Sequence, residues 1–302
     1  MSLRVGIVGY GEIAAFHARH LTAAGVRIAG VVTSRSTPPD IERYQSLSAM
    51  LRHVDAVTIA VPNHLHAALC VEAIAAGVAV FVEKPLCITP SELRTVEQAL
   101  RGASRPVHVG MRLRWNPALR ALRAGVQGVR RVRCVYGIGI DRLAAGKPWT
   151  RRDADTGGAF FTLGVHALDL ARWFARADGR PLEHLRAELS ERQPGADYPL
   201  VARLEGTLPD GARLEATADL RGDGAFRLEL DVEADRGACS DRSLSGIRPR
   251  DAGAADAEYA GLMKHFVDAV AGGGTNRDEI DEILQCHREL IAARALALTR
   301  GS

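Results

Sequence analysis

Lys84 has the sequence surroundings of a residue that moves protons. It follows Glu83 directly after the apolar run 78–82, so its ammonium group is expected at the end of a buried strand. Partial burial disfavours the charged form and lowers the pKa of a lysine, which lets the amine donate a proton near neutral pH. All but three of the 39 basic residues are arginine. Because lysine is so rare in this chain, a lysine at this position is less expected by chance. A surface cation without a role is the alternative.

His166 is a second candidate for proton transfer. Thr162, His166 and Asp169 are spaced at i, i+4 and i+7, which places them on one face of a helix. On such a face His166 could accept a proton from an alcohol or donate one to a carbonyl. Asp169 could orient the imidazole or bind a substrate hydroxyl. A buried histidine with a purely structural role is the alternative.

A glycine-rich segment near the start of the chain has the spacing G-x-G-x-x-A where a strand pattern meets a helix pattern. Gly9 permits a tight turn, Gly11 lets the backbone approach a pyrophosphate, and Ala14 allows close packing of the helix. The start of a helix also favours the negative charge of a phosphate. The sequence therefore predicts a dinucleotide site at Gly9, Tyr10, Gly11, Glu12 and Ile13.

The residues after the second predicted strand bear on which nicotinamide dinucleotide would bind. The segment 31–36 contains no carboxylate for the ribose hydroxyls of NAD(H). Ser34 beside Arg35 instead suits a 2′-phosphate, because a guanidinium offers forked and permanently charged donors. The sequence favours NADP(H) over NAD(H). Since arginine is so common in this chain, an ordinary solvated Arg35 is the alternative.

Alternating strand and helix patterns in the first half of the chain would position these groups. Such alternation predicts a parallel, doubly wound sheet with helices on both faces. The carboxyl ends of its strands form the ligand crevice, and Gly9, Arg35 and Lys84 all follow strand patterns. The predicted strands lie at 4–9, 27–33, 56–61, 78–82 and 107–111.

The second half of the chain has a different pattern. Its strand-like runs alternate apolar and polar residues, which predicts an α+β domain with a mostly antiparallel sheet and one solvated face. A helix is expected around 157–175, a mobile loop at 235–256 and a final helix at about 279–298, which could pack back on the first domain. The strand-like runs lie at 129–140, 182–190, 200–208, 213–220 and 226–233.

Composition limits the possible functions. The 302 residues suggest two domains, and a net charge of +3 does not indicate nucleic-acid binding. Five scattered cysteines without a C-x-x-C motif, and no histidine pair completed by carboxylates, predict no disulfide framework and no metal. The sequence lacks a membrane-spanning apolar run and a signal peptide pattern, so a cytoplasmic location is expected.

Two further segments, P-N-H-L-H at 62–66 and E-K-P at 83–85, follow the glycine segment along the chain. In this order the three motifs resemble those of the glucose-fructose oxidoreductase/inositol dehydrogenase (Gfo/Idh/MocA) family. The resemblance continues in R-W-N-P at 114–117, in Trp149 with the G-G-A that follows it, and in G-V-H-A-L-D at 164–169.

The resemblance implies a Rossmann domain at 1–120 and a substrate-binding and oligomerisation domain at 121–302. It implies homodimers or homotetramers formed through the open sheet of the second domain. It also implies that the peptide bond before Pro85 is cis. The residues that it assigns to the cofactor are Pro62, Asn63, His66, Glu83 and Lys84. Those that it assigns to the substrate are Arg114, Trp149, Thr162, His166 and Asp169.

The chain departs from its relatives at Thr162, where they commonly have an aspartate four residues before the histidine. A threonine can hydrogen-bond but cannot stabilise an imidazolium by charge, so Lys84 becomes the favoured proton-transfer group. The resemblance implies an oxidoreductase acting on a secondary alcohol or ketone of a sugar, cyclitol or polyol. The NADP(H) preference argued from Arg35 and a lysine acid at position 84 favour the reductive direction. An imine or non-sugar carbonyl reductase and a non-catalytic cofactor-binding regulator are the alternatives.

Overall fold

The computed structural model describes residues 2–222, 226–237, 239–241 and 252–300. The chain divides into two compact units, and neither is a single continuous segment. The first unit consists of 1–112 and 256–280, and the second consists of 113–255 and 281–302.

The first unit is built on a five-stranded parallel sheet with the order β2-β1-β3-β4-β5. Both central strands, β3 and β4, are buried along their whole length, as expected for a parallel sheet covered on both faces. The predicted doubly wound sheet is therefore confirmed. The strands are β1 Arg4–Val8, β2 Arg27–Val32, β3 Ala56–Ile59, β4 Ala79–Val82 and β5 Val107–Val109, and the helices between them are α1 Glu12–Ala23, α2 Leu47–Leu51, α3 His66–Ala75 and α4 Pro90–Arg101.

The second unit contains a six-stranded sheet with the order β11-β10-β6-β9-β8-β7. Neighbouring strands are antiparallel except β6 and β9, which are parallel, so the predicted mostly antiparallel sheet is confirmed. The elements are α5 Pro117–Gly125, β6 Gln127–Gly137, α6 Ile140–Ala144, α7 Asp153–Thr156, α8 Val165–Phe174, β7 Glu183–Ser190, β8 Val201–Thr207, β9 Arg213–Asp219, β10 Arg227–Arg236 and β11 Cys239–Asp241.

The two faces of the second sheet differ in character. On β10, Leu228, Leu230 and Val232 are buried, and they pair with the buried residues Tyr136, Cys134 and Val132 of β6. Helix α8 packs on β6 and β9 and covers this apolar side within the unit. The opposite face carries cross-strand ion pairs, in which Arg131 contacts Glu215 and Glu233, and Arg133 contacts Asp231.

The predicted helix at 157–175 is interrupted near its start. Gly157 and Gly158 both have positive φ, a conformation that disfavours a regular helix and that glycine adopts easily. A π-helical turn, Phe160–Gly164, then leads into α8. The predicted helix is therefore present from 158 to 174, but it is π-helical rather than α-helical at Phe160–Gly164.

Two helices end the chain, α9 Ala252–Gly272 and α10 Arg277–Arg300. Helix α9 packs in the first unit, where the Phe266 ring lies 5.7 Å from that of Phe81. Helix α10 belongs to the second unit from Asp281 on, because the buried guanidinium of Arg172 contacts the carboxylates of Glu282 and Glu289. The sequence placed the returning helix at 279–298, whereas the segment grouped with the first unit is 256–280.

The predicted loop at 235–256 is structured at both ends. Strand β10 runs to Arg236, and α9 begins at Ala252. The middle of that segment, 242–251, lies outside the described residues. Among the described helices, none combines the length and the apolar character that crossing a lipid bilayer requires.

Candidate functional site

The turn between β1 and α1 has the features that a diphosphate site needs. Gly9 has φ +84° and donates its N–H to the carbonyl of Val32 at 2.8 Å, and a Cβ there would lie 2.3 Å from the carbonyl oxygen of Ala60. Gly11 caps α1 without a side chain, and a Cβ at this position would have no atom within 4 Å. The first-turn N–H groups of α1 and its positive dipole end therefore face open space, which fits a bound diphosphate.

The other predicted residues of this turn differ in exposure. Tyr10 is half-buried and packs against the core cluster formed by Ile7, Ala14 and Val31. Ile13 is half-buried as well, whereas Glu12 is exposed in the first turn of the helix.

The segment 62–66 is tied to the segment after β4 by His66. This imidazole is buried, and its Nδ1 and Nε2 lie 2.7 Å and 2.8 Å from the carbonyl oxygens of Pro85 and Val61. Burial lowers the pKa of His66, and the two carbonyl oxygens only partly oppose that effect. The ring therefore lies between two loops, and the nitrogen that carries the proton of the neutral imidazole donates to its carbonyl oxygen. Asn63 is buried in the same segment, Pro62 is half-buried, and the bond between Lys84 and Pro85 is cis, as the resemblance implied.

Glu83 is a buried carboxylate at the end of β4. Its Oε1 lies 3.1 Å from Nε2 of His17, a fully buried residue of α1. Burial by itself would raise the pKa of Glu83, but the hydrogen bond from His17 and the nearby Lys84 and His66 hold that pKa below its usual value. Gly110 leaves room for this carboxylate, because a Cβ there would lie 2.8 Å from Oε2.

Lys84 is half-buried between Glu83 and the cis proline. The positive charge of its ammonium group contributes to lowering the pKa values of both Glu83 and His66. The carboxyl end of β4 thus brings a cation and a buried carboxylate together at the edge where parallel sheets bind ligands.

Two arginines flank the end of β2. Arg35 is exposed, and its backbone N–H donates to Oγ1 of Thr33 at 3.1 Å. Arg43 donates from Nη2 to the carbonyl oxygen of Thr33 at 2.9 Å, because residues 42–44 run alongside β2 and pair with Val31. Ser34 is exposed beside them.

In the second unit, Thr162 and His166 lie in one continuous helical segment, but Thr162 is in its π-helical turn. This turn has more than 3.6 residues per turn, and the hydroxyl of Thr162 donates to the carbonyl of Gly158 at 2.8 Å. His166 is buried in α8, with its ring centroid 4.8 Å from that of Tyr136. The shared face of Thr162, His166 and Asp169 stays a prediction.

Asp169 directs both carboxylate oxygens to Arg114. The Nη2–Oδ1 distance is 2.6 Å, and Nε lies 3.0 Å from Oδ1 and 3.1 Å from Oδ2. Burial raises the pKa of Asp169, although the neighbouring guanidinium opposes this effect. The sequence predicted that Asp169 orients His166 or binds a substrate hydroxyl, and that Arg114 contacts the substrate. In the structure Asp169 and Arg114 pair with each other.

Trp149 is half-buried in the short 3-10 helix Pro148–Arg151, next to a tyrosine that the sequence did not indicate. The hydroxyl of Tyr198 donates to the carbonyl of Thr150 at 2.6 Å, and it also interacts with Thr162. Burial raises the pKa of Tyr198 to about 12. Tyr198 therefore links the turn of Trp149 to the turn of Thr162.

Three residues of these sites were missed because their partners are distant in the chain. His17 could have been noticed, since Ala14, His17 and Leu21 form the buried face of α1. Arg43 and Tyr198 carry no comparable signal, because only the pairing beside β2 and the fold around Thr150 bring them into place.

Comparison with known proteins identifies the family. Residues 3–111 match the oxidoreductase family GFO_IDH_MocA with its NAD-binding Rossmann fold, and residues 118–239 match the GFO/IDH/MocA C-terminal domain. The chain belongs to the Gfo/Idh/MocA family. As a Gfo/Idh/MocA protein it is an NAD(P)-dependent oxidoreductase.

Several relatives of this Gfo/Idh/MocA protein are inositol dehydrogenases. Inositol 2-dehydrogenase 2 of Paenarthrobacter aurescens (strain TC1) is 27% identical over 311 residues, covering 90% of this chain and 89% of that protein. The fold is similar to myo-inositol 2-dehydrogenase from Lactobacillus plantarum, with a TM-score of 0.84, 20% identity and coverage of 99% and 98%. Scyllo-inositol dehydrogenase from Lactobacillus casei with NAD(H) and scyllo-inositol gives a TM-score of 0.81, 18% identity and the same coverage.

Proposed function

We propose that this protein interconverts a secondary alcohol and a ketone on a cyclitol, sugar or related polyol, with NADP(H) as the cofactor. The observation that carries the proposal is the open start of α1 beside Gly9, together with Lys84 and Glu83 at the end of β4. A bound nicotinamide cofactor would supply the hydride chemistry. The names of the relatives, which are inositol dehydrogenases, favour a cyclitol among these substrates.

In the proposed reaction the protein binds the diphosphate, aligns the substrate carbon and manages one proton. The first-turn N–H groups of α1 hold the diphosphate. In ketone reduction, Nζ of Lys84 donates a proton to the carbonyl oxygen, and in alcohol oxidation it accepts the proton of the hydroxyl. Glu83 keeps its charge next to this ammonium group because His17 stabilises the carboxylate. His166 is the second proton-transfer candidate.

We assign the cofactor preference to NADP(H) on the basis of the groups at the end of β2. Residues 33–35 offer two hydroxyls and a guanidinium but no carboxylate, and Arg43 adds a second guanidinium beside Thr33. Two permanently charged arginines favour the 2′-phosphate that distinguishes NADPH from NADH. An NADPH preference supports the reductive direction.

In the second unit, Trp149, Thr162 and His166 remain the proposed substrate contacts. Arg114 and Asp169 contribute as a buried ion pair that stabilises α8, rather than as separate ligands. We further propose that the charged face of the second sheet contacts another copy of this chain in a homodimer or homotetramer.

A binding and turnover assay tests the proposal. NADPH and NADH are titrated by fluorescence, and cofactor absorbance is then followed with inositols, ketoinositols, ketosugars and linear polyols in both directions. We expect tighter binding of NADPH and turnover with at least one ketone. Binding without turnover on any substrate would favour a regulator that lost catalysis with Thr162, and turnover with imines alone would favour the imine reductase.

A further inference from the structure

Three side chains with metal-ligating atoms meet at one edge of the first sheet. They are His108 on β5, His265 on α9 and Glu279 at the start of α10. One ligand atom from each residue lies within 4.8 Å of those from the other two. All three residues belong to the first unit, and none of them has a role in the proposed reaction.

The distances within this cluster fit a small metal ion. Nε2 of His265 lies 3.0 Å from Oε2 of Glu279, and Nδ1 of His108 lies 3.6 Å from the same oxygen. Ligand atoms about 2.0 Å from a tetrahedral Zn²⁺ lie about 3.3 Å from one another. The two measured distances lie on either side of that value, so small side-chain adjustments would complete the geometry.

His108 supplies an independent reason to expect a ligand. Its side chain is fully buried, and neither ring nitrogen has a hydrogen-bond partner within 3.5 Å, since Oε2 of Glu279 lies 3.6 Å from Nδ1. The ring packs against His265 and Phe266, with centroids 4.9 Å and 5.6 Å away. A buried imidazole without a close partner is costly, and a metal ion bound to one nitrogen would remove part of that cost.

Glu279 is held in the place that a ligand requires. Its Oε2 faces both imidazoles, 3.0 Å from Nε2 of His265 and 3.6 Å from Nδ1 of His108. Asn276 fixes the preceding turn by bonding both the N–H and the carbonyl of Val107, at 3.0 Å and 2.8 Å. Its Nδ2 also lies 3.5 Å from Oε2 of Glu279.

We propose that His108, His265 and Glu279 bind one Zn²⁺ ion, with the fourth coordination position open to water. Two imidazole nitrogens and one carboxylate oxygen are a set that zinc accepts. The ion would join β5 to α9 and α10, two helices that follow β5 by more than 100 residues in the sequence. Its role would therefore be structural. The sequence predicted no metal because it considered histidines close together in the chain.

The affinity for Zn²⁺ tests this site. Tag-free protein is stripped with a chelator and titrated with Zn²⁺ against a chromophoric competitor, in the wild type and in His265→Gln, Glu279→Gln and His20→Gln. His20 pairs with Asp256 in the same unit, so it controls for loss of a histidine–carboxylate pair. We expect one ion per chain and at least about 100-fold weaker binding in His265→Gln and Glu279→Gln, with His20→Gln unchanged.

Thermal unfolding gives a second readout. At a zinc concentration 100-fold above Kd, Tm of the wild type and of His20→Gln should rise by about 5 °C or more, and that of the two ligand variants should not. Co²⁺ in place of zinc should give the strong visible absorption of a low-coordinate site. The proposal is overturned if the wild type binds no Zn²⁺ at micromolar concentration, or if the ligand variants bind it equally well.

Discussion

Among single residues, Lys84 is distinguished by what surrounds its ammonium group. It is half-buried, follows a fully buried strand and lies beside a carboxylate that stays ionised. Of the other two lysines, Lys264 is exposed and pairs with Asp268 one turn away on its helix. The chemistry proposed for Lys84 therefore depends on its position, and a lysine elsewhere provides a matched control.

Replacing Lys84 by methionine should lower kcat by about 100-fold or more, because the proton donor is lost while much of the side-chain volume is kept. Lys264→Met should leave kcat unchanged. Steady-state kinetics and cofactor fluorescence titration measure the two effects separately. An unchanged kcat in Lys84→Met would show that another group donates the proton, and His166 would be the next residue to substitute.

Arg35→Ala and Arg43→Ala should each weaken NADPH binding by about tenfold, since a charge-assisted hydrogen bond contributes about 1.5–3 kcal/mol. NADH binding should change less than about twofold, because NADH has no 2′-phosphate for either guanidinium to contact. Fluorescence titration with both cofactors measures the ratio. Arg101→Ala, at the exposed end of α4, is the control. Equal losses for the two cofactors would contradict the assignment.

The residues predictable from sequence are those whose role depends on local backbone geometry. Gly9 and Gly11 are required by the turn between β1 and α1, and Lys84 follows a strand. Arg43 and Tyr198 depend on contacts made by distant parts of the chain, so no spacing indicates them. The pairing of Asp169 with Arg114 could not be predicted for the same reason, since the two residues are 55 positions apart.

At the scale of elements, the contact between α1 and β4 connects the glycine turn to the end of the lysine strand. His17 projects from the buried face of α1 to Glu83, and its ring also lies 5.0 Å from that of Phe81 on β4. The helix proposed to bind the diphosphate and the strand that carries Lys84 are thereby held in one arrangement.

His17→Leu should destabilise the protein by about 1–3 kcal/mol, because a buried carboxylate loses its hydrogen-bond donor. The folded pKa of Glu83 is lowered, so the pair stabilises the fold above the unfolded value of about 4.3. That contribution is lost as pH falls through the folded pKa. Urea unfolding at several pH values should show that the free energy of unfolding falls less on acidification in His17→Leu than in the wild type. Identical pH profiles would contradict this role.

Two glycines of the same turn should respond differently to substitution. Gly11→Val places its side chain in open space, so we expect an unchanged urea midpoint and at least about tenfold weaker cofactor binding. Gly9→Ala, at φ +84° and in conflict with Ala60, should lose about 1–3 kcal/mol of stability. Unweakened cofactor binding in Gly11→Val would argue against a diphosphate at α1.

The number and type of elements followed from periodicity, but their interruptions did not. Strand patterns located β1 to β5 because a buried parallel strand is an uninterrupted apolar run. The π-helical turn before α8 leaves no such pattern, because a wider turn changes the backbone hydrogen bonding without changing composition. The sequence therefore predicted regular α-helix at Thr162.

For the whole molecule, the charged face of the second sheet bears on assembly. Its rows of arginine and glutamate already satisfy one another within the chain, and its apolar counterpart is covered by α8. Association of two chains through this face must therefore replace ion pairs within each chain by ion pairs between chains, without burying apolar surface. Dissolved salt screens such ion pairs and weakens them.

If the proposed homo-oligomer uses this face, raising the salt concentration should shift it towards the monomer. Arg131→Glu, which reverses the centre of one ion-pair row, should do so at low salt without unfolding the chain, since exposed pairs contribute about 0–1 kcal/mol each. Light scattering after size exclusion measures the mass, with Arg4→Glu as the control on an exposed pair of the first unit. A mass unaffected by salt and by Arg131→Glu would exclude this face.

The return of 256–280 to the first unit has a consequence for how the protein is made. In this segment the ring of Phe266 packs against Phe81, and the side chain of Asn276 hydrogen-bonds to the backbone of Val107. A ribosome must therefore synthesise almost the entire chain before the amino-terminal core can close. A fragment that stops near residue 120 would expose this core, so the cofactor unit cannot be moved to another protein by cutting at one place.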